Sequence, residues 1–168
     1  MIVVSDTTPL ISLMKIQCLD VLEPLFGQVL IPDAVFSELT TNPSFQDEAS
    51  AIRHCDFIRR VSVRERMAVD VLRAVSGLDI GESEAIVFAE DVHADVVLMD
   101  EAKGRKTAKS KGLFIMGTVG VLLFAFEEHL LSAEEVKRAV DALRFSRRHI
   151  SQSLLEEALR YVDREKDD

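Results

Sequence analysis

The chain has 168 residues, 48% of them hydrophobic and 29% charged. That excludes a disordered chain and is enough for one domain with a buried core. The net charge of −9, taken alone, argues against nucleic acid as a partner, because phosphate contacts need local positive charge; the distribution of charge decides more than the sum.

The N-terminal MIVVSDTTPL has no basic segment ahead of its apolar stretch, and the longest apolar run, residues 119–126, is too short to span a bilayer. No membrane association and a cytoplasmic location are therefore expected. Residues 2–5 form a β-branched run typical of a buried strand. Thr8-Pro9 reads as a helix start, threonine as N-cap and proline at the first helical position, for a helix over 9–16. A shorter helix over 19–23 is expected to stop at Pro24. Residues 28–31 give a second strand. Pro32-Asp33 then opens a helix in which Val35, Phe36 and Leu39 set Glu38 beside an apolar face.

A polar helix over 46–54, a strand within 57–63 and a helix over 64–75 ending at Gly77 follow. Gly81 precedes a helix over 82–90 with Ala85, Ile86 and Ala89 on one side. Next come a strand over 95–99 bounded by Asp100, a basic helix over 103–111 ending at Gly112, a strand over 113–116, and a helix opening at Gly117-Thr118. The tail is helical in two pieces, 133–143 and 151–162, and 163–168 should fray. Short strands alternating with amphipathic helices predict an α/β fold around a central parallel sheet. The segment 145–151, carrying Arg147 and Arg148, sets off a C-terminal helix and not a domain.

Cys18 and Cys55 show no CxxC pairing; they could form a disulfide, but buried free thiols are the expectation for a cytosolic chain. His54, His93, His129 and His149 lack HxxxH spacing, which argues against a zinc enzyme. The chemistry rests on carboxylates. Two strands end alike, VVS before Asp6 and VVLM before Asp100. In open parallel sheets ligands bind outside the carboxyl ends of the strands, so both aspartates emerge on that edge. Either one alone is as well explained as a helix cap. In Gly81-Glu82-Ser83-Glu84-Ala85 the acids suit a helix N-terminus, and in a regular helix Glu82 and Glu84 would not share a face. Glu38 alone reads as a solvated helical position.

Taken together, VSDTTPLISL, IPDAVFSEL, LDIGESEAIVFA, VVLMDEAKGRKTAKSKG and IMGTVGVLL resemble the PIN-domain nucleases, in particular VapC-like prokaryotic PIN proteins, over roughly residues 1–130. The resemblance implies a three-layer α/β/α fold, with 1–130 as the nuclease domain and 131–168 as a helical extension of it. It implies catalytic acids at Asp6, Glu38, Glu84 and Asp100. Asp6 and Asp100 would be the central ligands of Mg²⁺ or Mn²⁺, and Glu84 and Glu38 would hold or orient a second metal and water. GESEA also resembles the paired-glutamate element of flap endonucleases, which makes Glu82 a fifth ligand candidate and leaves open whether Glu82 or Glu84 lies closer. Thr8 and Thr118 match small polar positions near the pocket, and such residues are more often structural, as caps, than catalytic.

The implied reaction is hydrolysis of RNA by an endoribonuclease, leaving 5′-phosphate and 3′-hydroxyl ends. The implied role is the toxin of a toxin–antitoxin pair, with an antitoxin partner and a homodimer. Lys103, Arg105, Lys106, Lys109 and Lys111 stand directly after Asp100 as RNA-binding candidates, or equally as a solvated helix face. Arg144, Arg147 and Arg148 form a weaker second patch. A catalytically silent PIN-fold binding module is the alternative. A phospho-acceptor receiver domain fits poorly, since Asp6 is flanked by Ser5 and Thr7, and an aspartyl phosphatase would need DxDxT where this chain reads Asp6-Thr7-Thr8.

Overall fold

Five short strands, β1 (Val3–Ser5), β2 (Val29–Pro32), β3 (Ile58–Val61), β4 (Val96–Leu98) and β5 (Ile115–Met116), pair in parallel in the order β3-β2-β1-β4-β5. The computed structural model describes residues 1–146 and 150–166. Around the sheet lie α1 (Thr7–Lys15), α2 (Leu22–Phe26), α3 (Asp33–Thr41), α4 (Gln46–Arg53), α5 (Arg66–Ser76), α6 (Ile80–Asp91), α7 (Ala102–Ser110), α8 (Thr118–Glu127), α9 (Ala133–Arg144) and α10 (Gln152–Lys166).

Strand side chains alternate between two cores, as a period of two requires. Val3, Val96 and Leu98 join Leu10, Leu13, Leu122, Val140, Leu155 and Val162 on one face. Val4, Val97 and Met99 join Ala85, Ile86, Ala89 and Ala108 on the other. The result is the expected three-layer α/β/α arrangement, and α9 and α10 complete the first core. Among the described residues no helix is long and apolar enough to cross a membrane.

Several helix boundaries differ from expectation. Thr8 is not an N-cap: α1 starts at Thr7 and Asp6 is its extended N-cap, so Pro9 falls at the third helical position, where the missing N–H costs nothing. Pro24 does not stop a helix for the same reason; it lies in the first turn of α2, which ends at Gly27 with φ +77°. Gly81 lies inside α6, because Asp79 and Glu82 form a reciprocal capping box that starts the helix at Ile80. The C-terminal segment expected to fray is helical through Lys166. Cys18 and Cys55 are free thiols, half-buried and not fully buried.

Candidate active site at the switch point of the sheet

β1 leads on to β2 on one side and β4 leads on to β5 on the other, so the connections diverge above the carboxyl ends of β1 and β4 and leave a crevice there. Asp6 follows β1 directly, and its N–H donates to the Leu98 carbonyl at 3.0 Å. Its backbone is extended, with ψ 171°. The carboxylate is 3% exposed.

A cavity of about 370 Å³ opens over Asp6. Among the described residues five carboxylates line it (Asp6, Glu38, Asp79, Glu82 and Glu101), with Thr7, Thr8 and one cation, Lys103. Glu38 comes from α3, where Thr7 Oγ1 donates to its Oε2 at 3.0 Å. Glu82 comes from the first turn of α6: its Oε2 accepts from the Asp79 N–H at 3.1 Å, and its N–H donates to Asp79 Oδ1 at 2.8 Å. Two glycines let the helices close in. A Cβ at Gly104 would stand 2.9 Å from Glu82 Oε1 and 2.6 Å from Met99 Sδ, and a Cβ at Gly81 would stand 3.4 Å from Glu38 Oε2. Lys103 is tethered, Nζ donating to the Gly77 carbonyl at 3.3 Å.

Burial pushes the Asp6 carboxyl well above the usual range. The charges of Glu82, Asp79 and Glu38 push the same way, against a backbone hydrogen bond from Thr7. Glu82 is raised too, first by burial and then by Asp79 and Glu101, while the Asp79 N–H and Lys103 oppose the shift. Clustered carboxylates in a partly dry pocket repel one another, and a bound cation relieves that repulsion.

A family model for the PIN domain matches residues 2–164. The chain belongs to the PIN-domain family. It is thus a nuclease-type domain of a kind that generally works with divalent metal ions. Nothing among the curated proteins matches the chain.

In this PIN domain Asp6, Glu38 and Glu82 meet in one pocket, while Glu84 and Asp100 are not among its lining residues. Glu84, two positions beyond Glu82, turns to a different neighbour, as helical geometry dictates. It is 2% exposed, accepts from the Ala34 N–H at 2.9 Å and is paired with Arg66. Asp100 stands at the end of the strand beside Asp6, with Oδ1 accepting from the Thr118 N–H at 2.7 Å and Oδ2 from the Thr118 hydroxyl at 2.6 Å. It therefore caps α8 and lines a neighbouring groove. Thr8 lines the acid pocket and Thr118 holds Asp100.

Asp79 and Glu101 enter the pocket without having been singled out by sequence. Asp79-Ile80-Gly81-Glu82 is a capping-box pattern that would have flagged the first, whereas nothing local distinguishes Glu101. The basic helix α7 is divided. Lys103 lines the acid pocket and Arg105 the neighbouring groove. Lys106 and Lys109 are exposed, and Lys111 pairs with Glu90 at 3.0 Å, far along the helix. Arg144 pairs with Asp141, and Arg147, Arg148 and His149 lie outside the described residues.

Among the described residues no three His, Cys, Asp or Glu side chains already converge at metal-holding distances. The donor set nevertheless fits a hard divalent cation: it is all oxygen, it carries an excess of negative charge, and it includes a buried carboxylate whose charged form is disfavoured as it stands.

Proposed function

We propose that this PIN domain is a Mg²⁺- or Mn²⁺-dependent endoribonuclease. The observation that carries the reading is Asp6, a buried carboxylate at the switch point of the sheet, facing Glu38 and Glu82 across one pocket. Asp6, Glu38 and Glu82 would hold the metal. Asp100, fixed by Thr118, would present a remaining lone pair from the adjacent strand end. A bound cation supplies a water of lowered pKa and charge neutralisation at the phosphate. The protein's own contribution is orientation: Thr7 steers Glu38, the capping box steers Glu82, and Lys103 offers a phosphate a positive charge at the rim. Glu84 we assign to holding α3 against α6.

The biological role we favour is that of a toxin with a protein antitoxin, acting in the cytoplasm as a homodimer. The resemblance to VapC-like proteins supports the toxin role, the free thiols Cys18 and Cys55 support a reducing compartment, and Met67, Val71 and Val75 form an exposed apolar stripe on α5 suited to a second copy. A silent PIN module is the second reading, favoured by the absence of a converged metal triad among the described residues.

The test incubates purified protein with labelled single-stranded and structured RNAs in Mg²⁺, Mn²⁺ or EDTA, beside Asp6→Asn and Asp100→Asn. Metal-dependent cleavage lost in Asp6→Asn supports the nuclease. Folded protein that neither binds metal nor cuts RNA leaves the silent module.

A further inference from the structure

A second cavity, about 530 Å³, adjoins the acid pocket on the β5 side of the sheet. The two meet at a single turn, where Asp100 lines one and the next residue, Glu101, lines the other. Phe114, Met116, Leu123 and Leu154 make the groove's walls apolar, and among the described residues Arg105 and Asp100 are its two charged groups. Phe114 precedes the edge strand and is 61% exposed, an aromatic face that the fold leaves open.

At the mouth stands Gly117, where a Cβ would lie 2.9 Å from Arg105 Nη1 and 2.9 Å from Asp100 Oδ1. Any side chain there would crowd both charged groups. Arg105 Nη1 donates to the Met99 carbonyl at 2.9 Å, which fixes the guanidinium near Asp100 on the groove and leaves its other donors for an anion.

We propose that this groove holds one unstacked base of single-stranded RNA beside the cleavage pocket, with Phe114 as the stacking face and Arg105 on the flanking phosphate. The inference rests on the nuclease reading. An apolar slot with one aromatic wall and a cation at its mouth has the composition of a base-stacking platform on an electrostatic track. Asp100 on the groove and Glu101 on the acid pocket are consecutive residues, so a base held in the groove would lie on RNA that also reaches the acids. An apolar peptide would bury the same walls but leave Arg105 facing no anion.

The test is fluorescence anisotropy of a labelled single-stranded RNA in Ca²⁺, with cleavage in Mg²⁺ or Mn²⁺ measured in parallel. Phe114→Ala is expected to weaken binding by about 5- to 100-fold, the loss of one base–aromatic stack. Phe114→Tyr should bind as wild type. An RNA abasic at the stacked position should bind wild type as weakly as intact RNA binds Phe114→Ala, with no further loss when the two changes are combined. Wild-type affinity and cleavage in Phe114→Ala would overturn the groove and leave the nuclease standing. A wild type that neither binds nor cuts RNA would overturn both. Unchanged RNA affinity together with a loss of self-association in Phe114→Ala would mark the face as an interface between copies.

Discussion

Glu84 accepts a hydrogen bond from the Ala34 N–H at 2.9 Å and so ties the first turn of α3 to α6. The carboxylate sits where the positive end of the α3 dipole favours it, and Arg66 closes its other side. Since Glu38 lies one turn further along α3 and Glu82 half a turn back along α6, this one contact sets the spacing of two pocket acids. Glu84→Ala should cost about 1–3 kcal/mol, the loss of a buried charge-assisted hydrogen bond, and Glu84→Gln less, because an amide oxygen still reaches Ala34. Urea unfolding of the three proteins checks this. Equal midpoints for Glu84→Ala and wild type would remove the clamp from the account.

Asp6→Asn should abolish cleavage, by on the order of 100- to 1,000-fold or more, while stabilising the metal-free fold. The amide keeps the shape of the side chain and removes a buried charge, a gain on the order of 1–2 kcal/mol at neutral pH. Calorimetry without metal is the measurement, and a Tm below wild type would contradict it.

The pH dependence follows from the sign of the same shift. Asp6 and Glu82 have carboxyls raised in the folded state, so the fold binds more protons than the unfolded chain between the ordinary and the raised pKa. Their contribution is fully present below the ordinary carboxylate range and is lost as pH rises through the raised values. Metal-free protein should therefore lose Tm over that rise, and Mg²⁺ or Mn²⁺ should restore more Tm at the high end of the window than at the low end. A metal-induced increment that does not change with pH would separate the cation from these two acids.

Gly104→Ala tests the approach of α7 to α6. The new methyl would meet Met99 Sδ at 2.6 Å and Glu82 Oε1 at 2.9 Å, and Met99 is fully buried with nowhere cheap to go. Overpacking of about 1–3 kcal/mol outweighs the helix-propensity gain of about 1 kcal/mol, so the variant should unfold earlier. It should also bind Mn²⁺ more weakly as Glu82 is displaced. A variant with raised Tm and unchanged Mn²⁺ affinity would show that the helices are looser than these distances imply.

Thr118→Val keeps the shape of the side chain and deletes the hydroxyl that holds Asp100 Oδ2. If Asp100 serves the metal site, activity should drop about 10- to 100-fold, as for other residues that orient a ligand. A small loss of stability with full activity would restrict Asp100 to capping α8.

The sheet and the edge on which the acids gather were readable because β-branched runs such as Ile2-Val3-Val4 and Val96-Val97-Leu98 signal parallel strands on their own, and Asp6 and Asp100 follow them directly. The finer assignment was not readable. Glu82 and Glu84 are chemically alike, and only the true start of α6 decides which faces the pocket; a capping box at Asp79 moved that start two residues ahead of the position Gly81 suggested. Pro9 and Pro24 misled for a related reason, since a proline marks a helix start only within its first turn and does not fix which residue is the cap. Glu101 is brought in by the packing of α7, a tertiary fact with no local signature.

The strand order has a consequence for when the pocket exists. Asp6 directly follows the first strand, yet the backbone that holds it in place is Leu98 of β4, and Glu101 comes only after β4. A growing chain that has released β1, β2, β3 and α6 carries Asp6, Glu38 and Glu82 on an incomplete sheet, with no β4 to fix the centre of the crevice. The pocket is assembled by the strand pairing most distant in sequence, so on the proposed nuclease reading a nascent chain would lack its complete acid site until β4 inserts beside β1.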